Sequence, residues 1–557
     1  MKPFLTQLLD FAALKSSAAK AKALTALLVG SLVYATAFTA AAQVVKSNFF
    51  GINMWYGQPN ATQSTDLKKA GLNLYRLGGN GRNNDAAYLN MYNWVSDIEY
   101  VKYTLNAEPI IQLPIGLSFT AVKDWVYFFN VTKGYDIKYW TIGNEPDPGG
   151  GYANLQNWMN GQKFYQSSIN NLNYGDFKYR FVNLANELKQ ASDQFHNGQC
   201  IIVGPDFRLF YKEAIDLEYS RFLTDVGNSA STNGKPLLDV FAFHYYATQA
   251  DAESVLKARF DGVQALLNTA NGLRSFPDLP LAVTEVNGEA STGTALPYWF
   301  NTGQFVATMT KLALAKGAFC VTPWSIYESA GNRGTTDFSF YNSDNTRRPT
   351  MHHFAMLSEN KRAEYMPEAQ ANYADQLVCL GMRQAGTGGG YTVMLMNTTS
   401  AARSFNISLN NAYQGTTSDV QIRMQGYAGV TNTPLTGSIP ATTTFLFRCD
   451  AAGNFISKLI FSQSDAGPHL RQALATAPGT SGEPDLAVYP NPVAGSFALA
   501  GLAGPADLTV RNTLGDNVLH QQVAAGEAVD ISALPAGLYL LDIRTANAHT
   551  VRKMVKQ

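Results

Sequence analysis

Two glutamates each sit at the end of a short apolar run. Glu145 closes Trp140-Thr141-Ile142-Gly143-Asn144-Glu145-Pro146, and Glu285 stands in Leu281-Ala282-Val283-Thr284-Glu285-Val286. A β-branched and aromatic run of this length reads as a buried strand, and α/β barrels keep their chemistry at the C-terminal ends of such strands. Two carboxyls held at two strand ends can divide acid–base work: one protonated to assist a leaving group, one ionised to attack or to activate water. Metal chemistry has no such support, since no Cys/His spacing resembles a metal site and no cofactor motif is present.

The elements that must position the pair follow from the pattern around them. Apolar runs at residues 49–56, 73–79, 109–115, 137–145, 200–207, 240–246, 281–286 and 320–327 alternate with helical stretches at 92–106, 176–197, 252–269 and 302–316. Phe177, Phe181, Leu184, Ala185 and Leu188 recur at helical spacing and predict one packed face. Eight βα units in roughly 300 residues predict a (β/α)8 TIM barrel, assigned to residues 43–358. Residues 359–450 carry strand-like runs separated by Gly, Asn, Thr and Ser, and predict a small antiparallel β-sandwich packed on the barrel. An Ala/Pro/Gly/Ser-rich stretch marks 451–484 as a linker, and 485–557 has a β pattern of its own.

Residues 1–42 read as a signal peptide. Lys2, Lys15, Lys20 and Lys22 precede an apolar segment, and Ala40-Ala41-Ala42 offers a small-residue cleavage site. Lys+Arg and Asp+Glu balance at 42 each, which excludes a nucleic-acid partner held by a strongly basic surface. Aromatics make up 12% of the chain and charges only 15%, a balance suited to a polar, uncharged ligand stacked on rings. Four cysteines in an exported chain make no disulfide scaffold. Cys200 and Cys320 read as buried thiols, whereas Cys379 and Cys449 are candidates for a pair.

The segment Trp140 to Pro146 resembles the acid/base motif of glycoside hydrolase clan A, the retaining (β/α)8 glycosidases. There the acid/base ends strand four and the nucleophile ends strand seven, and Glu145 and Glu285 end the fourth and seventh runs counted above. The resemblance covers about residues 49–354 and implies that Glu145 is the acid/base and Glu285 the nucleophile, about 5–5.5 Å apart. On that reading the charge of Glu285 is expected to raise the pKa of Glu145. Arg76, ending the second run in Tyr75-Arg76-Leu77-Gly78-Gly79-Asn80, would pair with the nucleophile. Tyr245 or Tyr246 would hydrogen-bond the nucleophile, with His244 as a sugar contact. Asn144 would bond the sugar 2-hydroxyl, and Asn80 would add a polar contact. Trp324 would stack on a pyranose, with Trp55 and Tyr56 as a further platform. Asp206 and Glu289 remain spare acids. The chain departs from the clan at Ile111-Gln112-Leu113-Pro114, where many members place a histidine.

The tail resembles the type IX secretion sorting domain, in Val488-Tyr489-Pro490-Asn491-Pro492, Asn512-Thr513-Leu514-Gly515, Leu534-Pro535-Ala536-Gly537-Leu538-Tyr539 and Lys553-Met554-Val555-Lys556. That resemblance implies type IX secretion machinery as a partner and a secreted or surface-attached product. The combined expectation is a metal-independent retaining glycosidase cleaving a β-glucan, xylan or mannan in endo fashion. An exo-acting enzyme and a non-catalytic surface glycan-binding protein are the alternatives.

Overall fold

Seven short parallel strands, β1 (Gly51–Asn53), β2 (Leu74–Leu77), β3 (Glu108–Leu113), β4 (Tyr139–Ile142), β5 (Ile201–Phe207), β6 (Val240–Ala247) and β7 (Leu281–Gly288), pair in sequence order. The computed structural model describes residues 43–55, 57–149, 151–167, 170–247, 251–288, 300–328, 338–366, 369–371, 376–384, 389–408, 420–423, 435–451, 453–471, 487–500, 502, 504–512, 516–545 and 549–557. The proposed signal peptide, Tyr56, Glu289 and residues 472–484 of the proposed linker lie outside the described residues. The chain divides into two units, Met1–Ala473 and Leu474–Gln557.

The eighth run closes the ring without forming a regular strand. Val321 bridges Phe50 on one side and Val283 on the other. The Gly51 amide donates to the Val321 carbonyl, and the Thr322 amide donates to Val283. Pro323, next in line, has no amide hydrogen to donate, which breaks the regular ladder, although its carbonyl still accepts from the Asn53 amide and the Trp324 amide donates to the Val286 carbonyl.

Helices α1 (Ala61–Ala70), α2 (Val95–Glu99), α3 (Phe119–Tyr127), α4 (Tyr174–Phe195), α5 (Ser220–Val226), α6 (Glu253–Gly272) and α7 (Phe300–Ala315) follow the seven strands, and α8 (Pro349–Glu359) follows the closing segment. Local signals start the two best-defined ones. Asn60 accepts from the Gln63 amide while Gln63 reaches back to the Asn60 amide, and Asn173 and Asp176 repeat the arrangement on α4. The α4 face predicted from spacing is buried throughout.

Along β2, β3, β6 and β7 the inward-facing residue changes from apolar to polar toward the C-terminal mouth. Leu74, Ile110, Val203, Val240, Ala242 and Ala282 fill the barrel floor. Two residues further on, side-chain alternation brings Arg76, Gln112, His244 and Thr284 inward, all of them buried. The opposite faces, with Tyr75, Ile111, Trp140 and Phe241, pack against the helices. The fold therefore supplies a dry floor beneath a polar ring.

The sandwich that follows shares this core: Tyr365, Met382, Met396 and Leu446 pack in the same cluster as the barrel. Its larger sheet runs Gln43–Val44, Glu364–Met366, Leu377–Gln384, Gly390–Asn397, Thr443–Asp450, Phe455–Ser462, His469–Arg471. Two expectations change here. Residues assigned to the linker form the strands Phe455–Ser462 and His469–Arg471, because alternate apolar positions give the first of these a face to bury. The smaller sheet also contains one parallel pair, Arg403–Ser408 with Val420–Arg423, so the sandwich is not wholly antiparallel.

All four cysteines are free and buried. Cys379 pairs with Leu395 and Cys449 with Tyr391 on opposite edges of the strand Gly390–Asn397. Two strand spacings, about 9–10 Å, separate their strands, beyond the Cα separation of about 7 Å that a disulfide tolerates. The second unit has its own two sheets and its own core, with Val493, Phe497, Leu508, Leu541 and Ile543 fully buried. No helix among the described residues is long and apolar enough to cross a membrane.

Candidate active site

Irregularities in the strands aim the acids. The β7 register shifts between Val283 and Glu285, which sets Glu285 opposite His244. Thr284 and Glu285 are neighbours and would face opposite ways in a regular strand. The bulge lets both turn toward the mouth. A second shift between Pro205 and Phe207 leaves Asp206 as the extra residue of β5. Beyond β4 the backbone is left-handed at Gly143 (φ 75°) and at Glu145 (φ 42°), uncommon for a non-glycine residue. The Glu145 amide donates to the Asp206 carbonyl at 3.1 Å, which ties the two loops together.

Arg76 is the hub of the site. It is fully buried, and its Nη1 donates to Glu285 Oε1 at 2.8 Å and to Asn53 Oδ1 at 3.0 Å. Its Nη2 donates to Asp206 Oδ2 at 2.9 Å and to Asn144 Oδ1 at 2.5 Å, with Gln112 Oε1 at 3.4 Å. Asp206 also accepts from Thr141 at 2.7 Å and Thr284 at 2.5 Å. Gln112 accepts from the Gly79 amide at 2.7 Å. Gly79 (φ 102°) cannot be replaced without strain, and a Cβ there would collide with the Trp324 ring.

The two glutamates face each other across His244. Glu285 Oε2 accepts from the Tyr246 hydroxyl at 2.6 Å. Glu145 Oε2 accepts from Asn80 Nδ2 at 2.9 Å, and its Oε1 lies 3.1 Å from His244 Nδ1. The same ring nitrogen lies 3.6 Å from Glu285 Oε2. Ligand atoms of Glu145, His244 and Glu285 all fall within 4.8 Å of one another.

Tyr246, Asn80, Asn144 and Arg76 thus reach the pair. His244, expected as a sugar contact, is wholly buried between the two carboxylates. Tyr245 is not part of the site: it faces outward, where its hydroxyl donates to Asp251 and accepts from Arg259. His244 and Tyr246 share the inward face by strand alternation, so the inward placement of His244 decides between the two tyrosines. Trp55 and Trp324 pack together with Phe338 and Tyr246, their rings 5.6 Å apart. At 6% and 3% exposure they are a wall rather than an open platform.

The charges differ from expectation. Burial alone would raise the Glu145 carboxyl, but the Arg208 guanidinium, then His244 and Asn80, hold it well below the ordinary carboxylate range. Glu285 moves the other way: burial raises it and the Glu145 charge adds to that, against His244, Arg76 and Tyr246. Arg76 divides its charge between Glu285 and Asp206, and Arg208 stands on the Glu145 side. The expected upward shift of Glu145 is therefore reversed in the free protein. Burial would lower His244, yet Glu285, Glu145 and Asp206 raise it, which favours the imidazolium. Sequence reasoning missed Asn53, Arg208 and the anchoring role of Asp206, which follows Gly204-Pro205 at the end of β5.

Residues 487–557 match the family described as a secretion system C-terminal sorting domain. That domain marks a secreted or cell-surface protein. No curated protein matches the chain. Among solved structures, a family 51 α-L-arabinofuranosidase from Bifidobacterium longum is 11% identical with a TM-score of 0.49, covering 92% of this chain and 95% of its own. A bifunctional glucanase-xylanase from a metagenome library is 13% identical with a TM-score of 0.46, covering 73% and 96%. A GH30 endoxylanase from Clostridium papyrosolvens is 15% identical with a TM-score of 0.46, covering 73% and 97%.

Proposed function

We propose that the barrel is a retaining glycoside hydrolase that cleaves β-glycosidic bonds of a polysaccharide outside the cell. The observation that carries this reading is the separation of the two carboxylates. One carboxyl oxygen of Glu145 and one of Glu285 lie within 4.8 Å of each other at the mouth of one barrel. Inverting enzymes keep their carboxyls about 6.5–9.5 Å apart to admit water between them, whereas direct attack needs about 5–5.5 Å.

In the first step Glu285 attacks the anomeric carbon, and the glycosidic oxygen leaves with the proton of Glu145. In the second, Glu145 takes a proton from water, which displaces Glu285 from the glycosyl ester and restores both groups. Esterification removes the charge of Glu285, and with it a cause that favours protonation of Glu145. Arg76 and the Tyr246 hydroxyl stabilise the Glu285 carboxylate as it departs. Asn144, fixed by Arg76 and Asn80, is the contact for the sugar 2-hydroxyl.

Tyr246→Phe removes a donor that lowers the Glu285 carboxyl. A hydrogen bond to a charged group contributes about 1.5–3 kcal/mol, so kcat/KM is expected to fall about 10- to 100-fold. A higher Glu285 pKa also moves the acid limb of the kcat/KM profile to higher pH, because more of the nucleophile is then protonated at a given pH. A pH–rate series on the variant checks both.

Endo action is supported by a cleft of about 840 Å³ beside the site, lined by Gln58, Asn60, Tyr327, Glu328, Asn342 and Arg348 among others. Its wall meets the site where Trp324 Nε1 donates to Glu328 Oε1 at 3.4 Å. Amides and a half-exposed tyrosine suit neutral sugar units. We expect kcat/KM to rise with oligosaccharide length. Tyr327→Ala should lower it several-fold on long substrates and leave an aryl monoglycoside unaffected. Reducing-sugar release from β-glucans, xylans and mannans tests the function itself. Binding to any of them without release would mean a glycan-binding protein instead.

A further inference from the structure

The chemistry above needs a protonated Glu145, yet the free protein surrounds that carboxylate with cations. The group responsible is Arg208, just beyond β5. Its Nη2 stands 3.5 Å from Glu145 Oε2 and 3.5 Å from the Glu145 carbonyl. A tight guanidinium–carboxylate contact is about 2.7–2.9 Å, so this pair is loose, and the Arg208 side chain is 30% exposed.

Behind Arg208 lies a second acidic set that the mechanism does not use. Asp147 is fully buried, and its Oδ1 accepts from the Arg208 amide at 2.9 Å. Glu218 is also fully buried, and neither of its carboxyl oxygens has a hydrogen-bond partner. Arg208 Nε is an unpaired buried donor as well. Glu218 interacts electrostatically with both Asp147 and Arg208. A buried carboxyl without a partner is costly, and one beside a loosely held guanidinium is a receptor for it.

We propose that Arg208 is a positioning residue that exchanges between two carboxyl partners: it faces Glu145 in the free protein and moves onto the Asp147–Glu218 pair when a leaving group enters, so that Glu145 becomes a proton donor only in the complex. The other groups around Glu145 do not provide such an exchange. Asn80 is neutral, His244 is wedged against both Glu145 and Glu285, Tyr246 bonds Glu285, and Arg76 is committed to Glu285 and Asp206. Asp147 stands on the same turn as Glu145, and once ionised it carries the opposite charge to Arg208 and draws it away. Burial raises Asp147 to about 6 and raises Glu218 well above its ordinary value, so an approaching guanidinium would ionise them.

The proposal rests on the glycosidase reading, and its test has an arm that does not. In ¹³C-glutamate-labelled protein without substrate, the Glu145 carboxyl, assigned by its loss in Glu145→Gln, should titrate at least one pH unit higher in Arg208→Gln than in the wild type. In kinetics, Arg208→Gln should move the basic limb of kcat/KM to higher pH and leave that of kcat in place. Glu218→Gln should lower kcat about tenfold with little change in KM, because Asp147 alone then remains to receive Arg208. An unmoved Glu145 titration in Arg208→Gln, or wild-type kcat in Glu218→Gln, overturns the proposal. Should Arg208→Gln fail to fold, Arg208→Lys keeps the charge on a shorter reach and must still raise the Glu145 titration. Failure to hydrolyse any glycoside would sink the glycosidase reading, while the titration still decides the Arg208 pairing.

Discussion

Glu285→Ala is expected to abolish turnover, by more than about 10⁴-fold, since a catalytic nucleophile has no substitute in the site. Glu145→Ala is expected to cost about 10²–10⁴-fold, the usual contribution of a positioned acid or base. Its loss should shrink on aryl glycosides whose leaving groups need no proton. The pair separates further on adding azide. In Glu145→Ala the glycosyl ester still forms at Glu285, and azide can enter where water was activated, giving a glycosyl azide of retained configuration. In Glu285→Ala no ester forms, so azide cannot restore a retained product. Proton NMR of the anomeric product reads the difference directly. The opposite pattern would invert the two roles.

Arg76→Ala should have the largest effect on stability. The side chain is fully buried and contacts five residues through Nη1 and Nη2: Asn53, Glu285, Gln112, Asn144 and Asp206. Removing it leaves Asp206 without its principal cation and Glu285 with His244 alone. Breaking a buried ion pair from one side costs about 3–5 kcal/mol. Asp206→Asn is expected to cost less, because an amide oxygen in the Oδ2 position still accepts from Arg76 and Thr141, and only the Thr284 bond to Oδ1 loses its acceptor. Denaturant unfolding of the two variants measures the difference. Equal losses would mean that Arg76 acts through packing and not through its charge. Arg76→Ala should also lower activity at every pH by freeing both Asn144 and Glu285.

The barrel was legible because strands buried on both faces leave continuous apolar runs, and eight such runs alternate with helical periods. The mouth was legible because Glu145 and Glu285 are polar residues at the ends of those runs. Three features were not. The choice between Tyr245 and Tyr246 needed the parity of β6, which apolar residues on both faces conceal until His244 is known to face inward. Asp206 could not be placed without the β5 bulge, a backbone irregularity that Gly204-Pro205 hints at and does not specify. The charge on Glu145 depends on Arg208, and no local pattern places an arginine from beyond β5 beside an acid from β4. Gln112, where many clan members carry histidine, illustrates the limit in reverse. The residue looked like a departure, yet it holds the Gly79 backbone and faces Arg76.

Glu285 is expected to form a covalent bond to the sugar. A panel of 2-deoxy-2-fluoro β-glycosides with good leaving groups, in the gluco, xylo and manno series, should slow the second step more than the first and trap the ester. Peptide mapping by mass spectrometry is predicted to find one fluoroglycosyl group on the wild-type protein, at Glu285, and none on Glu285→Gln. A label on Glu145 instead, or turnover of the natural polysaccharide with inversion and no label anywhere, would contradict it.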